Sequence, residues 1–270
     1  MISLHSPTMY YILFLATIGY LIYLVRKSKR RPLRVFDEQW QKLLEENVYY
    51  YRRLTAIEKQ RFGARVMQFL SEVKVTGVNL ELKPLDKALV AASATIPVFG
   101  FDEWEYAYLD EVLVYPSTFN MDFEYGDGAK DKNVMGMVGD GYMNRKMILS
   151  GNALHNGFKN TTDKHNTAIH EFVHLLDKED GSIDGLPEVL ISHQYSIPWL
   201  KMIHHKMEEI NKDKSDIRNY GGTSETEFFA VASEYFFERP DQFKRNHPDL
   251  YAMMVQCFKQ DPKYVAVRKK

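Results

Sequence analysis

Five consecutive residues, His170-Glu171-Phe172-Val173-His174, constrain this chain more than any other stretch of its 270 residues. Two imidazoles four positions apart share a face only when the backbone is α-helical. On that face both rings can reach one metal ion, and Glu171, beside the first ring, can hold a water against it. The neighbouring apolar residues agree with a helix. Ile169, Phe172, Val173 and Leu176 fall at i, i+3, i+4 and i+7, the stripe of a helix packed on a core. The histidines then border buried surface, where imidazoles and a carboxylate without partners are costly. The competing reading is a surface helix with a solvated histidine pair. The spacing predicts this helix over 163–176.

A catalytic zinc ion takes three protein ligands and keeps a fourth position for water. The single cysteine, Cys257, excludes a thiolate-rich zinc site and any internal disulfide, and it suits a reducing compartment. A glycine and a third histidine soon after the motif would complete one known pattern. Here Asp177 and Asp180 stand in those places. The other solution is a glutamate on a later helix, and ETEFFAVASEYFFE (225–238) offers Glu227 and Glu234. Seven residues apart, these two share a face. Phe228, Val231 and Tyr235 make that helix largely buried, so a carboxylate on it needs a cationic partner, a metal or an arginine. Spacing does not choose the ligand between them. Asp177, one turn beyond His174, suits either of two roles, orienting a histidine or capping a backbone turn. His204 and His205 are adjacent and point apart on a helix. His5, His155, His165, His193 and His247 have no ligand spacing.

The rest of the chain frames this constellation. Helical patterns run over 36–53 and 56–73, the second opened by the capping box Thr55-Ala56-Ile57-Glu58 and ended near Gly77. A third covers 84–95 and ends ahead of Pro97. LDEVLVY (109–115) reads as a strand. Gly136, Gly139 and Gly141 form a turn before a second strand, 142–150. Further helices are expected over 198–212, 223–237 and 249–258. Strands in the first half and helices in the second argue for one α+β domain over 36–270. A 45% hydrophobic composition suffices for its core.

The N-terminal segment is of another kind. Residues 9–25, MYYILFLATIGYLIYLV, carry no charge, and RKSKRRPLR (26–34) follows at once. Seventeen apolar residues are about the shortest run that crosses a bilayer. Tyr10, Tyr11, Tyr20 and Tyr23 suit its interfaces. No Lys or Arg precedes the run, so the positive-inside rule sets the body in the cytoplasm, behind a single-pass anchor of residues 1–35. A signal peptide would carry its charges before the apolar run instead. Removing the basic cluster leaves an acidic body, with no electrostatic reason to bind nucleic acid.

Two segments together resemble a known family. HEFVHLLDKEDGSIDGLP (170–187), followed by ETEFFAVASEYFFERP (225–240), resembles the MtfA family of zinc peptidases. LDEVLVYPSTF (109–119) is similar to the family's strand ahead of the site, and QDP (260–262) to its C-terminal end. The resemblance covers about 36–265 and leaves the anchor outside. It implies a zincin-like metallopeptidase fold, similar to the zincin domain of bacterial lethal factor. It implies one Zn²⁺ held by His170, His174 and Glu227, with Glu171 as general base. Tyr220, seven residues before the third ligand, is implied as a donor to the oxyanion. Glu234 is implied behind the ligands, orienting a histidine. The activity implied is hydrolysis of a peptide or protein substrate, aminopeptidase-like, with the substrate strand expected along 142–150. The family is also linked to binding a sugar-responsive transcriptional repressor. The alternative is therefore a membrane-tethered protein that sequesters a regulatory partner, although a closed structural site has no use for Glu171.

Overall fold

The computed structural model describes residues 10–20 and 35–264, except 121, 126–129, 132, 140–143, 161–162, 182–183, 188–189 and 191–195. In chain order its elements are α1 (10–20), α2 (Glu38–Asn47), α3 (Tyr49–Arg52), α4 (Ala56–Glu72), β1 (Lys74–Gly77), α5 (Pro84–Val98), β2 (Glu111–Tyr115), β3 (Gly136–Val138), β4 (Lys146–Ser150), α6 (Gly151–Lys159), α7 (Thr167–Asp177), α8 (Ser196–Asn211), α9 (Glu225–Glu238), α10 (Pro240–Asn246) and α11 (Pro248–Phe258).

The four strands make one sheet in the order β1-β2-β4-β3. β1, β2 and β4 are parallel, and β3 joins the edge antiparallel to β4. Alternation along β2 sends Val112 and Val114 into the main core. Ile148, Tyr115 and Phe119 form a second, smaller cluster. α5 is apolar on nearly every side and is buried from Ala88 to Val98, as such a helix must be. It packs against both α4 and α7. α7 in turn lies between α5, α9 and the edge strand β3. The stripe Ile169, Phe172, Val173 and Leu176 is fully buried there. The α+β class and the capping box at Thr55 stand as the sequence reads them.

Several boundaries differ from the sequence reading. The helix over 36–53 is two, broken at Val48, whose backbone is extended and whose side chain is buried with Tyr50 and Tyr51. Residues 74–77 form a strand, β1, too short and too mixed in polarity to signal itself. It is fixed by pairing with β2, where Lys74 and Lys146 flank Glu111 at 3.1 and 3.6 Å. α5 runs through Pro97, since a proline in the last turn removes only one helical bond. The carbonyls of Ile96 and Pro97 accept from Gln260 instead, at 2.8 and 3.1 Å. α7 begins at Thr167, because Lys164 is left-handed (φ 62°) and Asn166 caps the helix. The strand expected over 142–150 is shorter, Lys146–Ser150, and it is internal. The sheet edge on that side is β3, and β1 is the other edge.

Of the apolar run 9–25, residues 10–20 are described, as α1, with Tyr11, Ile12 and Leu15 exposed. Its remaining residues and the basic cluster 26–34 lie outside the described residues. No helix among the described residues is long and apolar enough to cross a membrane.

Candidate metal centre and active site

Two caps set the helices that build the site. Asn166 Oδ1 accepts the N–H of Ile169 at 3.1 Å and opens α7. Ser224 Oγ accepts the N–H of Glu227 at 3.2 Å and opens α9. Each side-chain oxygen satisfies an amide that the first helical turn leaves unpaired. His170 and His174 therefore sit one turn apart on α7, with Glu227 opposite in the first turn of α9.

The three side chains converge. His170 Nε2 lies 3.0 Å from His174 Nε2 and 3.0 Å from Glu227 Oε2, and His174 Nε2 lies 3.7 Å from the same oxygen. One ligand atom from each lies within 4.8 Å of the others. Among the described residues this is the single group of three or more side chains able to hold a metal ion. The donor chemistry fits one. His170 Nδ1 faces Glu234 Oε1 at 2.8 Å, so the neutral ring turns its Nε2 lone pair to the centre. Glu227 Oε2 is buried, and the groups it faces are the two histidine rings. Two imidazole nitrogens and a carboxylate oxygen facing one point need a cation there.

The titration behaviour points to the same need for positive charge at the centre. Burial pushes His170 down, but hydrogen bonds to Glu227 and Glu234, with the charge of Glu171, outweigh it and raise the ring to about 10. Burial would raise Glu227, yet the two histidines hold its carboxyl well below the usual range. Glu171 is buried, and burial raises its carboxyl against the pull of His170 and His174. A raised carboxyl is what a proton carrier near neutral pH requires.

Glu171 also touches the sheet edge. A Cβ built on Gly136 would stand 2.6 Å from Glu171 Cγ and 2.7 Å from its Oε1, so β3 crosses directly over this carboxylate. The cleft there encloses about 360 Å³, with Gly136, Met135, His170, Glu171, Arg218 and Tyr220 in its walls. Tyr220 sits in the short turn Asn219–Gly222, half exposed, its ring stacked on His170 at 6.1 Å. Burial, the charge of Glu227 and a hydrogen bond to it raise the phenol to about 12, so it stays a donor.

Glu234 is wholly buried behind His170. It accepts from His170, from the N–H of Asn166 at 2.5 Å and from Arg218. Asp177 is also wholly buried, and its Oδ2 accepts the N–H of Gly185 at 2.8 Å. That bond belongs to the turn-capping role: it fixes a loop whose Gly185 carbonyl accepts from Trp199 at 2.8 Å. Elsewhere His204 faces Glu225, His205 faces Glu209, His155 faces Asp86 and His247 faces Asp216.

Sequence reasoning missed Gly136, Asn166 and Arg218 as parts of the site. Asn166 was findable, as an N-cap residue just ahead of the apolar stripe. Arg218 and Gly136 carry no periodic signal and reach the site only through the tertiary fold.

Residues 24–259 match the family model described as glucose-regulated metallo-peptidase M90. A protein named Mlc titration factor A from Escherichia fergusonii is 30% identical over 77% of this chain and 82% of its own. The chain belongs to this MtfA family of metallopeptidases. A Klebsiella pneumoniae protein of the same name is 28% identical over 77% of this chain and 82% of its own. An uncharacterized protein of Synechocystis is 26% identical over 90% of this chain and 92% of its own. A metallopeptidase family implies a metal ion and a peptide substrate, and the His-His-Glu cluster could bind such an ion.

Proposed function

We propose that this chain is a zinc-dependent peptidase in which His170, His174 and Glu227 hold the ion and Glu171 is the general base. The observation that carries this reading is the convergence of three ligand atoms beside a buried glutamate, under an exposed strand edge. A nitrogen and oxygen donor set suits zinc. The ion supplies Lewis acidity to water and to a peptide carbonyl. Glu171 takes the proton of the attacking water and passes it to the leaving amine. Tyr220 donates to the oxyanion. Glu234, held in its ionised form by His170 and by Arg218, would keep His170 in the tautomer that faces the ion. An extended substrate adds along the outer edge of β3, which brings its carbonyl over Glu171. Aminopeptidase-like cleavage is the first activity to assay.

The test is zinc by elemental analysis, with turnover of a peptide pool, for purified full-length wild type, Glu227→Ala and Glu171→Gln. The expected result is one zinc per chain, lost in Glu227→Ala, and retained without turnover in Glu171→Gln. No zinc in wild type after reconstitution, or full turnover in Glu171→Gln, overturns the reading.

A second reading rests on the name of the relatives, Mlc titration factor A. In it the chain captures a regulatory protein, such as a transcriptional repressor. Partner capture that survives Glu171→Gln supports this role, and capture lost with turnover opposes it. The single-pass anchor with a cytoplasmic body is proposed on the charge asymmetry of 9–34 alone. Membrane fractionation with protease protection checks it.

A further inference from the structure

Where α9 ends and α10 begins, the chain folds against α3 around a second cavity of about 310 Å³. It shares no lining residue with the cleft over Glu171. Three arginines, Arg53, Arg239 and Arg245, are among its eight lining residues. Arg53 is steadied by the Lys263 carbonyl at 2.9 Å and lies 5.6 Å from the centre of the Tyr49 ring. No hydrogen bond or ion pair among the described residues engages the guanidinium of Arg239 or Arg245.

The acidic groups of the wall do not answer these charges. Asp241 pairs with Lys263 at 3.0 Å. Glu238 is only 9% exposed, and its Oε2 has no hydrogen-bond partner. Burial, Glu234 and Asp163 push its carboxyl up to about 9, against weaker opposing hydrogen bonds from the His165 backbone and the Asn166 side chain. Burial thus favours the uncharged form of Glu238, and no arginine is among the groups that act on it. Neither acid of the wall is paired with one of the three arginines.

We propose that this cavity binds the dianionic phosphate group of a small phosphate monoester, with Arg239, Arg245 and Arg53 as charged donors. The guanidinium fork matches phosphate oxygens two at a time. A dianion answers the surplus of positive charge better than a monocarboxylate does. The volume is at the small end of metabolite pockets, with room beyond the phosphate itself for a compact organic group. Three arginines exclude a cation.

The probe is inorganic phosphate, titrated calorimetrically into purified full-length protein, with acetate at matched ionic strength as the monoanion control. Wild type is compared with the double variant Arg239→Gln/Arg245→Gln and with Arg52→Gln, an exposed arginine outside the cavity. The expected result is saturable phosphate binding in wild type and Arg52→Gln, at least tenfold weaker in the double variant, with acetate at least tenfold weaker than phosphate. No saturable binding, equal binding in the double variant, or acetate equal to phosphate overturns the proposal. Phosphate held by a metal at the other site would persist in the double variant and so counts against it. Circular dichroism checks the fold, and the single variant at exposed Arg245 gives the same readout if the double variant does not fold. None of these readouts depends on peptidase activity.

Discussion

Replacing Gly136 by alanine places a methyl group against the proposed general base. The added carbon would stand 2.6 Å from Glu171 Cγ and 2.7 Å from its Oε1. Ordinary carbon contacts begin near about 3.5 Å, so the side chain must withdraw by roughly 0.8–1 Å. Glu171 is buried, which confines that withdrawal. A misplacement of about 1 Å in a reacting group lowers turnover by on the order of 10²-fold. The fold should be little affected, because the change lies in a half-buried edge strand and alanine is favoured there over glycine by about 0.5–1 kcal/mol. The assay is kcat/KM on a peptide pool, with zinc content and a thermal melt on the same preparation. The expected result is a loss of roughly a hundredfold with zinc and melting temperature retained. Turnover within twofold of wild type, at full zinc content, would refute both the placement of β3 and the role of Glu171.

Other expectations can be checked on the same protein. Glu238 is raised above its ordinary 4.5 to about 9, so its contribution to stability is complete below pH 4.5 and is lost as pH rises towards 9. At about pH 7.5 the loss is on the order of 3–4 kcal/mol. Glu238→Gln should therefore be more stable than wild type in urea melts at that pH, with the gap closing near pH 4.5; a gap independent of pH would contradict this. Arg218→Met leaves Glu234 buried without its arginine and should weaken zinc binding by roughly 10–100-fold in chelator competition, while Asn166 still caps α7. Unchanged zinc affinity would show that the arginine has no part in holding His170. Glu227→Ala should lose zinc outright, since it removes one of the three proposed ligands.

What the sequence discloses here is what repeats at a helical period. The α7 stripe, the paired histidines and the face shared by Glu227 and Glu234 all follow from 3.6-residue geometry and are read without a structure. The cap at Thr55 is legible as well. The sheet was harder. β1 and β3 are only four and three residues long, and their place is set by partners distant in sequence. That is why the edge was expected at 142–150: the longer apolar strand is the visible one, yet its burial makes it internal. Arg218 and Gly136 were out of reach for the same reason. Each acts through one long-range contact, which leaves no period behind.

The ambiguity between Glu227 and Glu234 has a geometric resolution that spacing could not supply. Seven residues of helix rise by roughly 10 Å, enough to bracket one imidazole with a contact at each nitrogen. His170 occupies that gap, with Nε2 at 3.0 Å from Glu227 and Nδ1 at 2.8 Å from Glu234. The two glutamates differ in depth. The side chain of Glu227 is 21% exposed, whereas that of Glu234 is fully buried. Only the outer carboxylate can share an ion with water and substrate. The inner one meets a different requirement, since a buried carboxylate needs donors, and Glu234 takes them from Arg218, His170 and the backbone of Asn166. The residue that caps the metal-site helix is thus tied to the carboxylate that orients its first histidine. Folding of α7 onto α9 and alignment of the ligand are in this way one event.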